Sequence, residues 1–118
     1  MSFESLPKPA PLAVVRSKRR RSVEALRRKV YRLVDVRDGL KCRACGRSCV
    51  ITLDALPNRW ERHHVRFRSL GGEDTSANII GLCCLCHSEA QQHRLQIVGD
   101  ADEALEFTNT RTGRVWHS

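Results

Sequence analysis

A chain of 118 residues fits one small domain and is short for a large apolar core, so a structural metal would supply what burial cannot. Its six cysteines, with no apolar signal segment and no membrane-length stretch, argue against a secreted disulfide scaffold and a membrane protein; zinc in a reducing cytoplasm is the expectation. The net charge of +8 resides entirely in residues 1–41, which hold 12 of the 21 Lys and Arg and 4 of the 13 acids, while residues 42–118 balance to zero. The basic part is therefore a separate device, suited to salt-dependent attraction to a polyanion; the bland reading is a solvated tail.

In chain order, Pro7, Pro9 and Pro11 predict an extended, poorly ordered leader over residues 1–12. With Arg16, Lys18, Arg19, Arg20 and Arg21 it makes a flexible basic arm, residues 1–21, ahead of a domain spanning 22–118. Ser22 reads as the N-cap of a basic helix over 22–36. Val23, Leu26, Val30, Leu33 and Val34 recur at helical spacing and should pack, leaving Arg27, Arg28 and Arg32 to face phosphate. Asp38-Gly39 is a turn signal leading into Cys42-x-x-Cys45-Gly46. Residues 49–53 read as a strand, Pro57-Asn58 as a turn, and 60–67 as a second strand carrying His63-His64. A loop from Gly71-Gly72 to Ala77 precedes an apolar strand over 79–82, the pair Cys83-x-x-Cys86, and a short helix over 87–92. From Leu95 onward, alternating residues around Gly99-Asp100 and Thr112-Gly113 suggest small β elements, with Trp60 and Trp116 as core anchors.

Two CxxC pairs can close a tetrahedral zinc site through Cys42, Cys45, Cys83 and Cys86. Cys49 and Cys84 are then spare, packed thiols. On their own the four cysteines would indicate a purely structural zinc ribbon.

The further residues His63-His64-Val65, Gly71-Gly72, Asn78 and Leu82-Cys83-x-x-Cys86-His87, with Cys42-x-x-Cys45 upstream, resemble an HNH endonuclease of the zinc-stapled kind found in phages and restriction systems. The resemblance covers about residues 37–98. It implies an α+β chain with a small ββα-metal (His-Me finger) fold, a two-knuckle structural zinc site and a preceding basic helix. It also implies DNA as substrate, a phage packaging or restriction partner, and a bacterial or phage-infected cytoplasm.

Hydrolysing a DNA phosphodiester needs a deprotonated water, stabilised charge at phosphorus and help for the departing 3′ oxygen. A histidine, with its ordinary pKa near 6.5, can take the water's proton, and a cation can hold phosphate and leaving oxygen. By resemblance His64 is the general base, Asn78 ties the loop and orients it, and His63 and His87 hold one catalytic divalent metal. His63 stands where many relatives carry Asp, which favours Zn²⁺, Ni²⁺ or Mn²⁺ over Mg²⁺ somewhat. Gln91 replaces the further His of some relatives, so His93 can join the site only if the helix ends before it. Arg66 and Arg68 lie just beyond the pair and suit a phosphate clamp, though an exposed strand face also explains them. The implied function is a metal-dependent DNA endonuclease of weak sequence specificity. A non-catalytic zinc module that binds DNA for a larger machine is the alternative, and it needs no general base.

Overall fold

The computed structural model describes residues 10–52 and 58–118, with side chains from residue 18 onward. It contains helix α1 (Ala10–Asp38), strands β1 (Trp60–His64) and β2 (Ile79–Cys83), helix α2 (Cys84–Gln91), and strands β3 (Leu95–Asp100), β4 (Ala104–Asn109) and β5 (Val115–His117). β1 and β2 form an antiparallel pair with Trp60 opposite Cys83 and His64 opposite Ile79. With α2 they make the expected two strands and a helix. Strands β3, β4 and β5 form a separate antiparallel sheet in that order.

β2 is the centre of the molecule. Its five residues, Ile-Ile-Gly-Leu-Cys, are all buried, as a continuous apolar run should be when both helices pack on it. Gly81 is required there because the Trp60 indole lies against it; a Cβ would stand 1.7 Å from the ring. In β3 and β4 the buried residues alternate, Leu95 and Ile97 then Leu105 and Phe107. Phe107 stacks on Trp116 with centroids 5.6 Å apart, and the Trp116 indole N–H donates to the Ala44 carbonyl at 2.9 Å. The C-terminal sheet is thereby tied to the first knuckle.

Helix α1 departs from expectation in two ways. It begins at Ala10, so Ser22 lies within it, and residues 10–21 of the expected flexible arm are helical, including residues 10–12 of the expected extended leader. Pro11 is tolerated in a first turn, and the following Ala, Val, Lys and Arg residues offer no break. The rest of the leader, residues 1–9, lies outside the described residues. Second, the apolar stripe does not pack as a unit: Val34 is buried, but Val23, Leu26 and Leu33 are exposed. The docked face instead runs through Arg27, Tyr31, Val34, Asp35 and Asp38, one helical turn apart, because polar anchors set the rotation of the helix.

Those anchors are closely made. Asp35 accepts from the Trp60 indole at 2.7 Å and from Arg62 at 3.0 and 2.5 Å. The Asp38 carboxylate, 1% exposed, accepts from Arg37, from Arg43 at 2.7 Å and from the Gly81 amide at 2.9 Å. Arg37 also donates to the carbonyls of Ser76 and Ile79, each at 2.6 Å, and to Asp102 at 2.8 Å.

Smaller differences follow from local bonding. The strand expected over 49–53 is reduced to an isolated bridge between Val50 and Arg59, and residues 53–57, including Pro57 of the expected turn, lie outside the described residues. β1 stops at His64, not Phe67, because the next amides turn to Asn78: Val65 N–H to its carbonyl at 2.8 Å and Arg66 N–H to its side-chain oxygen at 2.8 Å. α2 starts three residues before His87, at Cys84, because the Cys83 sulfur caps it by accepting from the Cys86 amide. Among the described residues no helix is long and apolar enough to cross a membrane.

Burial alone would raise the Asp38 carboxyl, but the hydrogen bonds from Arg37, the Gly81 amide and Arg43 outweigh it and hold the group below the ordinary carboxylate range. Its folded pKa is depressed, so its contribution is present at neutral pH and lost as pH falls below about 4. Asp38→Asn should cost about 3 kcal/mol in denaturant unfolding at neutral pH, since it leaves arginines without their buried counter-charge. The gap from wild type should narrow in acid.

Candidate metal centre and histidine cleft

The four knuckle cysteines converge. Their sulfurs all lie within 4.8 Å of one another, and none of the cysteines is in a disulfide. Cys45 and Cys83 sulfurs are 3.8 Å apart. A zinc held tetrahedrally at about 2.3 Å separates its sulfurs by about 3.8 Å, so the cage has the right size. Each knuckle is built by its backbone: the Gly46 amide donates to the Cys42 carbonyl at 2.8 Å, with Gly46 at φ 78, and the Cys86 amide donates to the Cys83 sulfur at 3.4 Å. The Cys86 thiol and nearby amides lower the Cys42 thiol against the cost of its burial, and the same contact raises Cys86. These four cysteines could bind a structural zinc. Cys49 is buried with its thiol on the Arg47 carbonyl, and Cys84 is half-buried outside the cluster.

The three histidines of the sequence pattern line one cleft of about 310 Å³, with Arg62, Phe67, Arg68, Ser69 and Gln91. His63 and His64 are the last two residues of β1, and His87 lies on the first turn of α2. The His63 and His87 rings meet edge to face at 5.3 Å. His63 is 2% exposed and its Nδ1 is buried without a hydrogen-bond partner among the described residues. Burial, helped by His87 and His64, pushes its pKa down to about 4, so the ring is neutral at physiological pH. A neutral imidazole with an unpaired nitrogen is a metal donor.

Each remaining ring has a carboxylate partner. His87 Nδ1 is 3.3 Å from Glu61 Oε2, while its Nε2 meets the Gln91 amide at 3.3 Å. His64 Nε2 is 2.7 Å from Asp74 Oδ1, and Arg27 on α1 approaches the other oxygen of Asp74 at 3.3 Å. Sequence reading missed Glu61 and Asp74. Glu61 could have been found, since it precedes His63 by two residues and shares its strand face; Asp74 lies in a loop whose path only the fold reveals.

Asn78 braces that loop. Its Oδ1 accepts from the Arg66 amide, and its Nδ2 donates to the carbonyls of Arg66 at 3.1 Å and Glu73 at 3.0 Å. Gly72 lets the loop close, because a Cβ would lie 1.7 Å from the Arg66 carbonyl oxygen.

His93 is not brought into the group. α2 does end before it, but His93 takes the left-handed conformation (φ 60) that closes the helix, with the Arg94 amide bonded back to Glu89 at 2.9 Å. Its ring rests on Phe67 at 5.9 Å, with Phe67 in turn 5.7 Å from His63. Arg68 lines the cleft and is exposed; Arg66 is exposed too, but its Nε is bonded to the Leu70 carbonyl at 2.9 Å. Arg19, Arg20, Arg21, Arg28 and Arg32 are exposed along α1, whereas Arg27 is half-buried against Asp74.

Residues 42–92 match the family model described as HNH endonuclease. Over this segment, somewhat under half of its length, the chain is similar to the HNH endonuclease family. The match takes in both knuckles, β1, β2, α2 and all three cleft histidines, and it ends just short of His93. HNH endonucleases as a family cleave phosphodiesters of DNA, which gives the class of chemistry to weigh for this cleft. No curated protein matches the chain.

Cys42→Ser, Cys45→Ser, Cys83→Ser and Cys86→Ser should each lower the zinc retained through gel filtration, measured by elemental analysis, and lower the unfolding midpoint. Cys49→Ser should keep its zinc. Equal zinc in all five variants would mean that the metal is held elsewhere.

Proposed function

We propose that this protein is a metal-dependent DNA endonuclease in which His64 is the general base. The observation that carries the reading is the meeting of His63, His64 and His87 in one cleft, over a loop braced by Asn78. A module that only bound DNA would have no need of three convergent imidazoles, two of them backed by carboxylates.

His64 takes a proton from a water beside the scissile phosphate, and the resulting hydroxide attacks phosphorus as the bond to the 3′ oxygen breaks. His63 and His87 are the ligands suited to a divalent ion; the unpartnered nitrogen of His63 and the Glu61-held ring of His87 fit that role. When bound, such an ion supplies charge stabilisation for the phosphate and the departing oxygen. Two imidazole ligands suit Mn²⁺, Ni²⁺ or Zn²⁺ and make Mg²⁺ the weakest candidate. Asn78 keeps the loop from Arg66 to Glu73 closed behind the base, and Arg68 faces the phosphate from the cleft wall. Lys18, Arg19, Arg20, Arg21, Arg28, Lys29 and Arg32, all exposed on α1, hold the DNA backbone.

The decisive experiment is cleavage of supercoiled plasmid by wild type and His64→Ala, with Mg²⁺, Mn²⁺, Ni²⁺ or Zn²⁺ supplied after mild chelation. Wild type should cleave only with metal, and His64→Ala should lose on the order of 10²- to 10⁴-fold while keeping its cysteine-bound zinc and its affinity for DNA. A wild type inert with every metal would favour the accessory DNA-binding module. For the helix, replacing Lys18, Arg19, Arg20 and Arg21 by Ala should weaken binding to all duplex sequences alike. It should also reduce the slope of log affinity against log salt by roughly 3 to 4. An unchanged slope would remove α1 from the interface.

A further inference from the structure

A continuous chain of side chains runs from the basic helix to the proposed base. Arg27 Nε approaches Asp74 Oδ2 at 3.3 Å, and Asp74 Oδ1 lies 2.7 Å from His64 Nε2. Asp74 stands in the loop that Asn78 and Gly72 hold shut, so its position is fixed from two sides: by the loop and by α1. Burial would raise its carboxyl, but His64, Arg27 and the charge of Arg68 outweigh that and hold it below the ordinary range. An anion is therefore what faces the ring. A carboxylate has acceptors only, so the nitrogen bonded to it must carry the proton. The other ring nitrogen, Nδ1, has no hydrogen-bond partner among the described residues, and the ring lines the cleft.

We infer that Asp74, held by Arg27, is a positioning residue that fixes His64 as the Nε2–H tautomer and leaves Nδ1 as the atom that accepts a proton in the cleft. The inference rests on the proposed role of His64 as base, and it makes α1 part of the catalytic apparatus as well as a handle for DNA. Orientation by a carboxylate works through the tautomer: an amide in its place can donate as well as accept, and the ring can then present the wrong nitrogen.

The test uses the full-length, zinc-loaded protein labelled with ¹⁵N. Long-range ¹H–¹⁵N spectra of the imidazoles, with His64→Ala to assign the resonances, should show His64 of the wild type protonated at Nε2. Asp74→Asn should shift it toward the Nδ1–H form. In plasmid cleavage Asp74→Asn should lower kcat on the order of 10²-fold or more with KM little changed. Asp74→Glu should restore part of the rate. Arg27→Ala, which removes the contact of α1 with Asp74 but leaves the carboxylate, should lose far less than Asp74→Asn; equal losses would mean that the pair only pins the loop to the helix and would overturn the inference. A wild-type His64 protonated at Nδ1, or a ring unaltered by Asp74→Asn, would overturn it whatever the rates. A tautomer shift in a protein that cleaves nothing would instead sink the nuclease reading while upholding the Asp74–His64 pairing.

Discussion

The approach of Cys42 and Cys45 to Cys83 and Cys86 is the constraint on which the rest of this molecule depends. Cys83 is at once the last residue of β2, the N-cap of α2 and a member of the sulfur cluster. The direction in which α2 leaves the sheet, and so the place of His87 on its first turn, follows from where that sulfur is held. The first knuckle is fixed to the same strand by backbone, the Arg43 amide donating to the Gly81 carbonyl at 3.0 Å. Gly81 is thus bonded on one side to the knuckle and on the other to Asp38, and its missing side chain makes room for Trp60. A chain with so few aromatic residues has little to hold such a junction by burial alone; a metal bound by the four cysteines would join two distant segments and supply the closure.

Helix α1 is docked by charge more than by apolar surface. Asp35 and Asp38 each gather several donors, and Arg37 satisfies the carbonyls at the entrance to β2. Such contacts stabilise little in net terms, because desolvating the ions costs nearly what pairing returns, but they are directional. They turn the helix so that Arg27 reaches Asp74, and the same rotation leaves Leu26 and Leu33 in solvent. Orientation is what the site requires of this helix.

The sequence makes legible those features that depend on residue type at short spacing. The two knuckles, the histidine pair on a strand followed by Asn78, and the helix carrying His87 are all of this kind, and so is the alternation that yields β3 and β4. The features it conceals depend on which face meets which. An apolar stripe at positions 23, 26, 30, 33 and 34 reads as a packed face until the competing set of polar partners, on other segments, is known. Likewise Asp74 is one acid among the 13 of the chain, and only the return of the loop under Asn78 brings it to His64. The reach of α1 back to Ala10 was hidden by three prolines, of which Pro11 proves compatible with a first turn.

The charge distribution takes on a more specific meaning once the helix is docked. The body beyond residue 41 is neutral overall, so its field would do little to draw in a polyanion, and under the proposed function that work falls to the exposed cations of α1. Arg27 marks the border between the exposed cations of α1 and the cleft. On its N-terminal side and on the outer face the cations are open to phosphate, while Arg27 itself is committed to Asp74 and through it to the ring of His64. A duplex lying along α1 would therefore be registered against the cleft by a rigid helix, not by a loose tether. Contacts of that kind fix position along the backbone and carry no base information. At the cleft mouth Arg66 is partly spent on the Leu70 carbonyl, which leaves Arg68 and Ser69 as the exposed polar groups of the wall that follows β1. A nuclease built this way would select its substrate by backbone shape and by the position of its helix, and the chemistry would follow wherever that helix came to rest.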